Sequence, residues 1–96
     1  MLIFYSTHYP KPEFEDLMAE SMHRYGELMA TQHGLIFVAP WPFKDPEKGT
    51  LMGVTIWESR ERFDAAMAAI QDIPHERPSH DWERQPTEVF MLDSAR

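Results

Sequence analysis

Residues 50–70 read TLMGVTIWESRERFDAAMAAI, and within that run the spacing of the apolar side chains changes. From Thr50 to Trp57 it alternates: Met52, Val54 and Ile56 fall on one side, Leu51 and Trp57 on the other, which is the pattern of a strand. From Ser59 onward Phe63, Ala66, Met67 and Ile70 recur at helical spacing. Ser59 is placed to cap that helix, because its hydroxyl can accept from a backbone N–H of the first turn. The stretch therefore predicts a strand that runs directly into a helix ending near Ile70.

The same reading extends in both directions. Upstream, Leu35 to Ala39 is a short apolar strand, and residues 40–49 form a loop with three of the eight prolines. Proline breaks helices and ladders, so such groups mark joints. Glu13 to about Thr31 has a helical period, with Phe14, Leu17, Met18, Met22, Tyr25, Leu28 and Met29 on one stripe. Glu20 and Arg24 stand one turn apart on the opposite face. Gly26 lies on a flank of small residues, which suggests a close neighbour, and Gly34 stops the helix. Pro12 and the acidic residues after it suit a helix start. Leu2 to His8, LIFYSTH, is the first strand. Downstream, residues 71–86 show no period and read as a long loop, and Thr87 to Leu92 is the last strand. The order is β-α-β-β-α-β. It predicts a single α+β domain over residues 1–96 with a ferredoxin-like arrangement, an antiparallel four-stranded sheet with both helices on one side.

Composition narrows the function. Nine Lys and Arg against sixteen Asp and Glu give a formal charge of −7. Nucleic acid and anionic membranes attract basic surfaces, so neither is an expected partner. There is no cysteine, which removes disulfides, thiolate nucleophiles and Cys-ligated metals. The chain is 43% hydrophobic, enough to fold. No stretch approaches the roughly 20 apolar residues of a membrane span. The N-terminal residues lack the features of a secretory signal, and a cytoplasmic location is the expectation.

Both faces of the predicted sheet are apolar. Leu2 and Phe4 oppose Ile3 and Tyr5; Leu35 and Phe37 oppose Ile36 and Val38; Val89 and Met91 oppose Phe90 and Leu92. Two helices cover one face only. The other is expected to pack against the sheet of a second copy, giving a two-fold homodimer; the alternative is that loops 40–49 and 71–86 fold over it.

The segment Gly53-Val54-Thr55-Ile56-Trp57-Glu58-Ser59, followed by a helix with Phe63, resembles the antibiotic biosynthesis monooxygenase-like family. That resemblance implies the dimeric α+β barrel, and a ligand held between helices and sheet. It implies oxidation of an aromatic, phenolic or quinol-like small molecule without metal, flavin or other cofactor; the alternative is a non-catalytic, ligand-binding member. The haem-degrading branch of this superfamily uses an Asn on the first strand with a Trp and a His in and after the second helix. Here strand one offers Ser6 and Thr7, Ala66 stands near the Trp position, only His75 lies close to its expected place, and the chain contains no asparagine. Haem breakdown is therefore not expected. The Asn-containing set of the polyketide monooxygenases is likewise absent.

Several residues carry candidate chemistry. His75 is the candidate catalytic base, since imidazole titrates near neutrality and could take the proton of a phenol. Tyr5, Tyr25, Trp57 and Trp82 are the candidate ligand-binding residues, aromatic walls for a small apolar or aromatic ligand. His8, at the end of strand one, belongs with Tyr5, Tyr25 and Trp57 to the set that would line such a pocket. His75-Glu76-Arg77-Pro78-Ser79-His80 fails the zinc-protease pattern, because its histidines are five apart and Pro78 forbids a continuous helix. No metal site is expected. Trp41 and Phe43 suit a dimer contact or a lid, or pack back on their own subunit. Trp82, in the long loop, is expected to dock on the body and hold His75 near the pocket mouth.

Overall fold

Thr50 to Trp57 is the strand on which the sheet is organised. The computed structural model describes residues 1–96. Its elements are β1 (Leu2–His8), α1 (Glu15–Met29), β2 (Leu35–Val38), β3 (Phe43–Asp45), β4 (Thr50–Trp57), α2 (Arg60–Gln71) and β5 (Glu88–Asp93). Single turns of 3-10 helix span Pro12–Phe14 and His80–Trp82. The sheet runs β2-β4-β1-β5, every pairing antiparallel. This is the ferredoxin-like α+β arrangement that the element order predicts.

One strand more is present than the alternation predicts. β3 forms in the proline-rich loop and pairs Phe43 with Met52 and Asp45 with Thr50. β2 engages only residues 55–57 of β4, so the other half of that edge is open for β3. Three residues with two prolines nearby are too short to show a period, which is why the sequence conceals the strand.

β2 also departs from strict alternation. Its register shifts between Leu35 and Phe37, so Leu35 lies opposite Trp57, Phe37 opposite Ile56 and Val38 opposite Thr55. Leu35 and Val38 therefore share the helix-facing side, and Phe37 faces away. The expected pairing of Leu35 with Phe37 on one face is corrected by this bulge, since an extra residue reverses the side on which the next one falls.

Registry sorts the remaining residues. Leu2, Phe4, Ser6 and His8 of β1 stand opposite Trp57, Thr55, Gly53 and Leu51 of β4, and these look toward the helices. Ile3, Tyr5, Met52, Val54, Ile56, Phe90 and Leu92 occupy the other face, which no element of the chain covers. Phe43 remains 59% exposed there and Leu92 58%.

The core lies between the helices and one end of the sheet: Leu2, Met29, Trp57, Phe63, Ala66 and Ile70. Trp57 is fully buried. Its ring sits 5.6 Å from that of Phe63, which in turn lies 4.8 Å from Phe4. The indole N–H donates to the Thr55 hydroxyl at 2.9 Å, so the polar atom of the ring is satisfied inside the core. Ser59 caps α2 as expected, accepting from the Arg62 N–H at 3.1 Å. Gly34 has φ of 92°, and its carbonyl accepts from the Glu58 N–H at 2.8 Å. A side chain there would be strained and would meet Arg62 at 2.5 Å.

The buried stripe of α1 is rotated from the expected one. Met18, Ser21, Gly26 and Met29 are buried, whereas Leu17 is 44% exposed. The small residues turn inward, and a side chain at Gly26 would come within 3.3 Å of Val38. Arg24 bonds to Glu76 at 2.7 Å and so ties α1 to the loop, in place of the expected pairing with Glu20.

Trp57→Ala should destabilise the fold by about 3–5 kcal/mol, from lost burial and the cavity left behind. Urea unfolding measures this, and a loss below about 1 kcal/mol contradicts the assigned core.

Candidate functional site

Away from Trp57 the layers stand apart. Where the core end of β1 and β4 carries Leu2, Phe4 and Trp57, the other end carries Ser6 and Gly53. Opposite them α1 presents Ser21 and Gly26, again small. These residues leave a cavity of about 390 Å³ between helices and sheet, the size range of small-molecule sites. A side chain at Gly53 would meet Met22 at 3.2 Å and the Ser6 hydroxyl at 3.4 Å, so the missing Cβ is part of the space. Met22, Met29 and Met67 form flexible apolar walls.

His75 and Tyr25 come together at the mouth. Their rings lie 5.8 Å apart, and both line the cavity with Arg77. The His75 Nδ1 is 2.7 Å from the Ile73 carbonyl oxygen. That contact assigns the proton to Nδ1 and leaves Nε2 as the acceptor. The Tyr25 hydroxyl donates to the Met67 sulfur at 3.6 Å. Burial holds its pKa above the ordinary tyrosine value, with the Arg77 cation opposing, so the phenol stays protonated at neutral pH.

The other three candidates lie elsewhere. Tyr5 projects from the open sheet face, stacked on Phe90 at 4.8 Å, because odd positions of β1 point away from the helices. Trp57 is walled off inside the core. Trp82 docks as expected, stacking on Phe14 at 6.2 Å, and its carbonyl accepts from the Lys11 N–H at 2.8 Å. What it secures is different: the docked turn delivers Glu83 to the end of β1, where Pro10 and Glu83 form a bridge. His75 is held instead by the Ile73 carbonyl and by the neighbouring Arg24–Glu76 pair. The cavity is thus built without Tyr5, Trp57 and Trp82. Nowhere do three His, Cys, Asp or Glu side chains gather as a metal site requires.

To His8, a pocket candidate from the sequence, the structure adds the rest of a polar floor. Ser6 and His8 both line the cavity. The Ser6 hydroxyl is 3.1 Å from His8 Nε2. On the other side of the imidazole, Nδ1 lies 3.2 Å from the Thr87 hydroxyl and 3.5 Å from a Glu83 carboxylate oxygen. Thr87 donates to Glu83 at 2.7 Å, and the Tyr9 N–H donates to it at 2.9 Å. Burial lowers the His8 pKa from its ordinary value, and the Glu83 carboxylate pulls it back up. The i, i+2 spacing of Ser6 and His8 on one strand was readable in advance. Glu83, brought across by the Trp82 turn, was not.

The lowered pKa has a consequence for stability. The unfolded chain takes up this proton near pH 6.5, the ordinary histidine value, before the folded chain does. The His8 contribution is therefore complete above about pH 6.5 and is lost as pH falls toward the folded-state value. Urea unfolding from about pH 8 to about pH 5 should show this loss in the wild type. His8→Gln should flatten it, and an unchanged slope contradicts the assignment.

Comparison with solved structures agrees with this fold. An antibiotic biosynthesis monooxygenase superposes with a TM-score of 0.73 over 100% of both chains at 18% identity. A variant of SnoaB, a cofactor-independent oxygenase from Streptomyces nogalater, superposes with a TM-score of 0.63 at 13% identity, over 99% of this chain and 93% of that one. A NIPSNAP domain protein from Burkholderia xenovorans gives 0.64 at 10% identity, over 99% and 95%. No protein-family model and no curated protein matches the sequence. At these identities the likeness is one of architecture, and it extends over the whole chain: the protein has the antibiotic biosynthesis monooxygenase-like fold.

Proposed function

We propose that the protein binds a small aromatic, phenolic or quinol-like molecule in the helix–sheet cavity and oxidises it with molecular oxygen, using no metal or flavin. The observation that carries this reading is the cavity itself, with apolar methionine walls and an imidazole at its mouth. In the reaction His75 takes the hydroxyl proton through Nε2. The resulting electron-rich ring reacts with oxygen: a ring C–H bond is replaced by a C–O bond, the second oxygen atom leaves as water with that hydrogen and the hydroxyl proton held by His75, and the substrate is oxidised by four electrons to the quinone. Arg77, lining the same mouth, favours the anion. A cofactor-independent oxygenase shares the architecture, which supports the reading by analogy. Tyr25 is the ligand-facing aromatic residue of this proposal.

Oxygen uptake with a panel of phenols and hydroquinones, run with chelator and without flavin, tests it. His75→Ala should lower turnover about 100-fold or more while leaving the melting temperature unchanged, since the residue lies in a surface loop. Ligand binding without oxygen uptake across the panel would instead establish a non-catalytic binding protein.

The second part of the proposal is a homodimer through the open sheet face. The exposed apolar side chains Phe37 of β2, Phe43 of β3, Met52 of β4 and Phe90 and Leu92 of β5 support it, because contiguous apolar surface on a monomer is unusual. No helix is long and apolar enough to cross a membrane. Light scattering should give twice the chain mass of 11.3 kDa. Phe90→Lys should yield monomer or aggregate, and a wild-type mass of one chain contradicts the interface.

A further inference from the structure

Polar groups line the cavity from both layers. His75, Glu76 and Arg77 come from the loop after α2, at the mouth; Ser6 and His8 come from β1 and form the floor. The floor is served by a chain of contacts that the mouth chemistry does not use. We infer that Ser6 and His8, oriented by Thr87 and Glu83, form a hydroxyl-binding and proton-accepting subsite on the cavity floor, so that the ligand is an aromatic molecule with a hydroxyl at each end. This rests on the cavity being the ligand site proposed above.

The donors and acceptors around His8 pair in one way. Thr87 gives its proton to Glu83, so its oxygen is left to accept from His8 Nδ1–H. That fixes the proton of neutral His8 on Nδ1 and makes Nε2 an acceptor. Nε2 has one neighbour, the Ser6 hydroxyl at 3.1 Å, which must donate to it. Ser6 then has only lone pairs to offer the cavity. A ligand hydroxyl satisfies them; an ether or a carbonyl oxygen does not.

The same contacts allow a proton to move. As the ligand O–H proton passes to the Ser6 oxygen, the Ser6 proton passes to His8 Nε2. The ligand oxygen keeps the bonding pair, Ser6 is unchanged, and the imidazolium faces the Glu83 carboxylate through Thr87. In that state Nε2–H donates to Ser6, and the Ser6 hydroxyl is free to donate into the cavity. One proton thus converts the floor from a site that accepts from a hydroxyl into one that donates to a carbonyl. This matches a ligand whose hydroxyl oxygen becomes a carbonyl on oxidation.

Other titratable and charged groups surround this floor. Glu83 is the carboxylate in contact with His8. Beyond it, the Arg84 guanidinium lies 5.8 Å above the Tyr9 ring, and the Tyr9 hydroxyl bonds to Glu88. Across the cavity stand Tyr25, His75, Glu76 and Arg77. Ser6 and His8 touch the ligand in this arrangement; Thr87 and Glu83 are positioning residues.

Calorimetry with two probes of matched shape tests the subsite: para,para'-biphenol and its monomethyl ether. At about pH 8 wild-type protein should bind the diol roughly tenfold more tightly, the worth of one buried hydrogen bond. The preference should collapse as pH falls and His8 takes up a proton. Ser6→Ala, which folds readily on a strand, should bind both probes equally. His8→Gln should remove the pH dependence. Glu83→Gln should move the collapse to lower pH, because the carboxylate that favours imidazolium is gone; a purely structural role would weaken both probes and leave the midpoint in place. Equal binding of the two probes by the wild type, or a preference that survives Ser6→Ala, overturns the subsite and leaves the cavity reading intact. Failure of both probes to bind overturns the cavity reading and the subsite with it.

Discussion

The buried indole of Trp57 is the contact on which the rest of the molecule depends. It closes one end of the helix–sheet layer, wedged against Phe63 and satisfied by the Thr55 hydroxyl. Close packing at that end fixes where α2 lies on β4. The other end of the same two strands then carries Ser6 and Gly53, which cannot fill the distance the indole sets. A cavity follows from that contrast. It is a wedge of space between a layer held apart by large side chains and a stretch supplied only with small ones.

The sheet serves two surfaces at once. Toward the helices, β1 alternates from apolar Leu2 and Phe4 to polar Ser6 and His8, so one strand supplies part of the core and then the cavity floor. On its other side the same strand offers Ile3 and Tyr5 to the uncovered face. Only 13 of the 96 residues are buried within a single chain, which leaves much apolar surface without a partner. The stability of the fold and the shape of the site are tied through β1 and β4, because their helix-facing positions pass from core residues at one end to cavity residues at the other.

Much of this was legible from residue spacing. The change of period across Trp57 and Ser59 identifies the strand-to-helix corner, and the proline groups separate the elements. The short strand β3 and the bulge in β2 escaped, since both arise from how β2 pairs with only part of β4. The site was legible only in part. His75 and Tyr25 meet at the cavity mouth, whereas Trp57, chosen for its ring, is buried for the same property. Tyr5 was assigned to the ligand without the face its odd position dictates. Glu83 reaches His8 through the docking of Trp82 on Phe14, a contact between residues far apart in the chain that no local pattern records.

The central claim is that a small aromatic molecule sits between the helices and the sheet. Methyl-resolved NMR of the methionines tests it most directly, because they sample both sides of the sheet. Met22, Met29 and Met67 line the cavity, and Met52 lies on the opposite face. Titration with para,para'-biphenol should shift the first three and leave Met52 and the β5 residue Met91 in place. Shifts confined to Met52 and Met91, or none at all at high ligand concentration, would contradict the account.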